Sequence, residues 1–277
     1  MSQFVWHSSL PRSGSTLLQN LAAQSSFNHV TATSDVSELV IGLRNRWIDC
    51  PGFRSQGLSQ CASRIAQSMR GLIEGYYATE LSAGKTVWEK SRAWVGCFRL
   101  LDEIFSERQK IVCCVRDVRE IVTSFEMLWR QNQLTRQDHK GPAFVECATI
   151  EGRVHHCLAM DTILGQSIAR LRDCLQSDPD RLLIVPYNVL TSHPEQLMRQ
   201  LHSDLGLPKP TVDAENIQQA TKEDDNIWGL SGLHSIRTSV RPKVDRWPEI
   251  LPPRLAAWID SEYRDINELA AGGISHA

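Results

Sequence analysis

What the chain lacks narrows its class first. No stretch of its 277 residues approaches the ~20 consecutive apolar residues of a membrane span. The opening residues carry neither the basic nor the apolar segment of a secretory leader. Neither charge sign dominates: 30 Lys and Arg against 32 Asp and Glu leave a formal net charge of -2, so no global basic field points to nucleic acid or an acidic polymer. The eight cysteines include no Cys-x-x-Cys pair and no Cys/His spacing of a metal site. Cys113 and Cys114 instead sit in a strand-like apolar run, where small thiols pack well. These absences lead us to expect a cytoplasmic protein with reduced cysteines, no metal, and no membrane or nucleic-acid partner.

Four short apolar runs are present: Phe4–Trp6, Thr86–Trp88, Lys110–Val115 and Leu182–Pro186. Between them lie segments with helical periodicity, among them Ser59–Leu81, Val118–Arg130, Gly152–Gln176 and Pro194–Leu205. Apolar strands alternating with amphipathic helices predict an α/β protein, a three-layer sandwich around a central parallel sheet. We expect residues 1–277 to form a single domain with a loop-rich last third. Ligands of such sheets bind at the carboxyl ends of the strands. Attention therefore falls on Ser8–Thr16, Glu89–Arg92, Arg116–Ser124 and Tyr187–Asn188.

The first of these segments has one further absence. FVWHSSLPRSGSTLL runs from an apolar strand through a Pro/Ser/Gly turn into a helix, the layout of a phosphate-binding loop. The lysine that a Walker loop places before its Ser/Thr is missing; Ser15 occupies its place, and the first glycine of that motif is missing too. Gly14 allows close backbone approach to an anion, Ser13, Ser15 and Thr16 add hydroxyls, and Arg12 adds a fork-shaped cation. After the third strand, Arg116 is followed eight residues later by Ser124. Alone, that pair reads as a salt bridge and a solvated hydroxyl; beside the first loop, it suggests a ligand with two separated anionic groups.

Taken together these segments resemble the sulfotransferases that use 3′-phosphoadenosine 5′-phosphosulfate (PAPS), and most of all their bacterial or phage-type members. LPRSGSTLL resembles the 5′-phosphosulfate loop, VRDVREIVTSF the 3′-phosphate element, and VWEKSRAW the EKS segment of the heparan N-sulfotransferases. VPYNVL resembles the strand-end segment near the adenine, and GLHSIRTSVRP lies where the family places a late loop over the 3′-phosphate, without its usual Lys-Gly. The resemblance implies a P-loop NTPase-like sulfotransferase fold with PAPS as co-substrate and no metal. It implies donor contacts from Arg12, Ser13, Gly14, Ser15, Thr16, Arg116, Ser124, Tyr187, Ser235 and Arg237, with Arg12 also stabilising the leaving phosphate. Lys90 or Arg92 would contact the phosphosulfate or an anionic acceptor.

Glu89, matching the EKS glutamate, is the first candidate for general base. Asp35 is the rival, although it serves equally as the N-cap of a helix with Glu38 completing a capping box. His7, His155 and His156 follow no ligand spacing and read as core or surface residues. The acceptor, a small molecule or a glycan or peptide group, is not encoded. Its pocket is expected around Arg44–Trp47, Ser59–Tyr77 and Trp129–His139, where Arg44, Arg46, Arg130 and Arg136 permit an acidic molecule. A P-loop small-molecule kinase and a non-catalytic nucleotide-binding protein are the alternatives, and oligomeric state is left open.

Overall fold

Along β1 (Phe4–His7) alternate side chains enter opposite cores: Phe4 and Trp6 join one apolar cluster, Val5 the other. The adjacent Cys113 and Cys114 of β4 (Ile111–Val115) divide in the same way. With both faces covered, strand residues are apolar without alternation, and the sheet is parallel. This computed structural model describes residues 3–132 and 147–272. Among these residues five strands run in the order β2-β3-β1-β4-β5, all paired in parallel, with β2 at Asn28–Thr33, β3 at Thr86–Lys90 and β5 at Leu182–Pro186.

The four expected strands are present, and β2 (Asn28–Thr33) is an addition. Its sequence, NHVTAT, is too polar and small to read as a buried strand. It is tolerated because β2 is an edge strand, paired only with β3 and broken in register between Val30 and Thr33.

The helices of eight residues or more are α1 (Ser15–Ala22), α2 (Val36–Asp49), α3 (Leu58–Tyr76), α4 (Phe98–Phe105), α5 (Val118–Gln131), α6 (Ile150–Leu158), α7 (Ile163–Ser177), α8 (Pro194–Asp204), α9 (Pro253–Glu262) and α10 (Arg264–Ala271). The expected helix Gly152–Gln176 is thus two. Ala159 turns extended after α6, and the Thr162 hydroxyl caps α7 by accepting from the Gly165 amide at 3.3 Å. Leu18 and Leu21 of α1 pack with Leu197, Met198 and Leu201 of α8 on one face of the sheet. On the other face α3 contributes Cys61, Ile65, Met69 and Ile73.

After α8, residues 205–246 fold back over the carboxyl ends of the strands without adding one of their own. Asn20 of α1 receives the amide of Ala220 at 2.5 Å, and Glu223 accepts from the amide of Thr33 at 2.9 Å. The connections leaving β1 and β4 run to opposite halves of the sheet, so the crevice between these two strands is its switch point. All eight cysteines are free thiols. Among the described residues no helix is long and apolar enough to cross a membrane.

Candidate active site

The loop leaving β1 is held in a conformation that ordinary residues avoid. Arg12 adopts a φ of 60° and Gly14 a φ of 96°. A Cβ on Gly14 would also lie 2.7 Å from Cδ2 of Tyr187, so this position demands glycine twice over. Ser13 secures the turn from below: its hydroxyl donates to the carbonyls of Leu10 at 2.6 Å and Cys114 at 2.9 Å. That hydroxyl is therefore turned into the sheet, away from any ligand of the loop. The first intrahelical bond of α1 is Leu18 N–H to the Gly14 carbonyl at 2.9 Å, which leaves the amides of Ser15, Thr16 and Leu17 facing outward at the positive end of the helix.

At the neighbouring strand end, Asp117 caps α5 by accepting from the Arg119 amide at 2.8 Å, and this fixes Arg116 at the crevice. The Arg116 guanidinium donates to the Arg12 carbonyl at 3.1 Å and to Glu120 at 2.8 Å, and lies 4.3 Å over the Tyr187 ring. Its Nε is buried without a partner. Two turns along α5, Ser124 accepts from Arg12 Nε at 3.1 Å, and Arg12 Nη1 donates to the Leu233 carbonyl of the late segment. Burial, with Arg116 close by, pushes the Arg12 guanidinium down to about 10, still cationic at neutral pH.

These groups open into a cavity of about 710 Å³, ample for a nucleotide. Gly14, Ser15, Thr16, Tyr187, Ser235 and Arg237 line it with Arg12, Arg116 and Ser124. Eight arginines and lysines line it against two carboxylates, Glu120 and Glu126, so a locally basic site exists in a chain of net charge -2. Arg92 contributes a guanidinium that makes no hydrogen bond or ion pair with any described residue, and burial holds it below its ordinary range. The carboxylates are engaged. Glu120 binds Arg116 and the amides of Arg246 and Trp247; Glu126 binds Arg153 through both oxygens at 2.7 Å and Arg130 at 2.7 Å. Although burial alone would raise Glu126, these bonds hold it below the usual carboxylate range. Open amides, an unpartnered Arg92 and the orphaned Nε of Arg116 make this cavity fit a multiply anionic ligand.

Neither expected base reaches it. Glu89 is 0% exposed and does not line the cavity; its carboxylate accepts from the Trp94 indole and, at 3.5 Å, from the Tyr77 hydroxyl. Burial pushes it up to about 7. The strand end points Glu89 toward the aromatic core that holds Trp6 and Trp94, an orientation that spacing alone could not reveal. Asp35 is exposed and lies outside the lining. It occupies the N-cap position of α2, yet the expected capping box does not form: the Asp35 side chain accepts no capping bond, and the Glu38 amide donates to the Asp35 backbone carbonyl at 3.0 Å.

His7 is fully buried against Ser9 Oγ at 2.6 Å, and burial pushes it down to about 3, so it is neutral. His155 packs against Trp258 with the rings tilted, whereas His156 lines the cavity with its ring free of hydrogen bonds to described residues. Of the expected acceptor segments, Trp129–His139 reaches the cavity through Trp129, and the other two do not. No residue of 44–47 or 59–77 lines the cavity; α3 turns Cys61, Ile65, Met69 and Ile73 into the core. Arg130 is spent on Glu126, and residues 133–146, including Arg136 and His139, lie outside the described residues.

A buried charge network ties β3 to the late segment. Lys90 is buried and paired with Glu223 at 3.3 Å; the second oxygen of Glu223 meets His234 Nε2 at 3.3 Å, and His234 Nδ1 meets Asp225 at 2.6 Å. Lys90 therefore anchors the late segment and does not face the cavity. Burial lowers His234, but the two carboxylates oppose that shift. Glu223 stands 133 residues from Lys90, in a loop with no periodicity, so no sequence signal marks the pair. Among the described residues no group of three His, Cys, Asp or Glu is placed to hold a metal ion.

The profile of the Sulfotransferase family matches residues 8–211 of this chain. Among solved structures the chain is similar to the sulfotransferase domain from the curacin biosynthetic pathway, with 18% identity and a TM-score of 0.54 over 95% of this chain and 98% of that one. It is also similar to a sulfotransferase from Mycobacterium avium (13% identity, TM-score 0.51, 95% of this chain and 76% of that one). A sulfotransferase from Alicyclobacillus acidocaldarius gives 12% identity and a TM-score of 0.50 over 99% and 97%. At these identities the likeness is one of fold. No curated protein matches the chain in sequence.

Proposed function

The chain belongs to the sulfotransferase family, and we propose that it transfers a sulfuryl group from PAPS to a hydroxyl or amine of an acceptor bound in the same cavity. One observation carries the choice of donor. The loop after β1 and the Arg116–Ser124 element after β4 are bonded to each other at the rim of one basic cavity, through Arg116 to the Arg12 carbonyl and Arg12 to Ser124. Two adjoining anion sites without the Walker lysine suit a phosphosulfate with a separate 3′-phosphate better than a triphosphate.

In this reading the amides of Ser15, Thr16 and Leu17, with Arg12 and Arg92, hold the 5′-phosphosulfate, and Thr16 adds its hydroxyl. Gly14 gives the backbone its close approach, and Ser13 supports the turn. Arg116 and Ser124, with Ser235 and Arg237, hold the 3′-phosphate, and Tyr187 borders the adenine. The acceptor atom attacks sulfur; the bond from sulfur to the bridging phosphate oxygen breaks, and its electron pair leaves with the bisphosphate. Arg12 and the loop amides stand where that charge accumulates. Of the carboxylates and imidazoles lining the cavity, Glu120, Glu126 and His234 are already engaged, so we assign the acceptor's proton to His156.

Thermal unfolding with adenosine 3′,5′-bisphosphate, AMP and ATP–Mg²⁺ tests the donor. At 100-fold excess over Kd the bisphosphate is expected to add about 2.7 kcal/mol of stability. Stabilisation by ATP–Mg²⁺ alone would support the kinase reading instead.

A further inference from the structure

We infer that the acceptor is an uncharged hydroxyl compound with an apolar body, seated between α5–α7 and the late segment; this rests on the sulfuryl-transfer reading. Strand ends supply Arg12, Arg92 and Arg116 to the cavity and the late segment adds Arg237, Arg241, Lys243 and Arg246, while consecutive helices form its remaining wall. Phe125 and Met127 of α5, Cys157 of α6 and Ile163 of α7 line it there. The facing late segment supplies Trp228 and Val244. Ile163 is 51% exposed, Trp228 48% and Val244 75%. Thus three of the seven exposed large apolar side chains among the described residues gather around one cavity, and their burial is available to a ligand.

Charge on the helical side is closed off. Arg153 stacks 3.9 Å over Trp129 and is paired with Glu126, which also takes Arg130. A sulfated or uronic acceptor would therefore meet no unpaired cation on the helical wall. On the facing segment Arg241 and Lys243 are paired with Glu215 and Asp245, Arg237 is assigned to the donor, and Arg246 is the cation such an acceptor would find. A protonated amine would be no better placed, since the cations across the cavity, Arg12, Arg92 and Arg116, repel it. A hydroxyl carries no charge to desolvate, and His156 on the same wall accepts its proton.

The test is an acceptor panel with labelled PAPS: hexan-1-ol to decan-1-ol and 2-naphthol against glucosamine, glucuronate and a tyrosine peptide. Turnover of the alkanols and naphthol is expected, with kcat/KM rising roughly threefold to fourfold per methylene. Ile163→Glu places a carboxylate at an exposed helix N-terminus, where the fold accommodates it. It and Val244→Asp are each expected to raise KM for decan-1-ol at least tenfold while leaving the bisphosphate thermal shift unchanged. Preferential turnover of the sugars or the peptide overturns the inference. So does bisphosphate binding with no apolar alcohol turned over, or an unchanged KM in both variants; the donor reading survives each of these. Failure to bind the bisphosphate overturns the donor reading itself, and this inference with it.

Discussion

Arg116 donates to the backbone carbonyl of Arg12 at 3.1 Å, a bond between residues 104 apart that ties one strand-end loop to the next. It supports Arg12 in a left-handed conformation that a non-glycine residue rarely keeps. The cation proposed for the 3′-phosphate thus also shapes the loop proposed for the 5′-phosphosulfate.

Gly14→Ala tests that shape. Alanine at a φ of 96° costs about 1–2 kcal/mol of backbone strain. Its Cβ would also press within 2.7 Å of the Tyr187 ring, roughly 1–3 kcal/mol of overpacking. Urea denaturation is expected to show a loss on that scale, together with weakened bisphosphate binding because Tyr187 carries Arg116. An unaltered midpoint would show that the loop relaxes freely.

Single variants separate His156 from Glu89 as the group that takes the acceptor's proton. His156→Asn is expected to lower kcat by about 10²–10⁴ with bisphosphate affinity unchanged. Glu89→Gln is expected to keep turnover, since the carboxylate it replaces is enclosed by Trp94 and Tyr77. Collapse in the Glu89 variant with full activity in the His156 variant would reverse the assignment.

Glu89 should nevertheless report in stability. Burial raises it from 4.5 to about 7, so between these pH values the unfolded chain has lost a proton that the folded chain retains. Its contribution is intact below pH 4.5 and fades as pH rises toward 7, worth up to about 3 kcal/mol. His7, pushed down to about 3, acts in the opposite sense below pH 6.5, but it is common to both proteins and cancels in their difference. Denaturation from pH 4.5 to 7 is expected to favour Glu89→Gln progressively over wild type. A constant difference would mean that the carboxyl titrates normally.

The late segment depends on a buried charge pair. Glu223→Ala leaves Lys90 buried without its partner, an expected loss of about 3–5 kcal/mol. The double variant Lys90→Met/Glu223→Leu is expected to recover most of that loss, because it removes both charges. Equal destabilisation in the two proteins would show that the pair is not what secures the segment.

Much of this architecture was legible in the chain. The buried strands announced themselves as unbroken apolar runs because both faces of the sheet are covered, and the loop at Pro11–Thr16 did so through its turn chemistry. What escaped was set by tertiary placement. Asn28–Thr33 is a strand only because β3 offers it an edge. Glu89 carries a fitting motif, yet its side chain turns into an aromatic core. Lys90, Glu223 and His234 meet across a loop without periodicity, and His156 gains its role only when α6 packs beside α5.

Arg116 is the group proposed to select a 3′-phosphate. Calorimetric titration of adenosine 3′,5′-bisphosphate and of AMP into wild type and Arg116→Ala measures that selection. Wild type is expected to favour the bisphosphate, and the variant to lose roughly 10- to 100-fold of that preference, as the loss of one charge-assisted contact implies. An Arg116→Ala protein that still prefers the bisphosphate by the wild-type ratio would contradict the assignment.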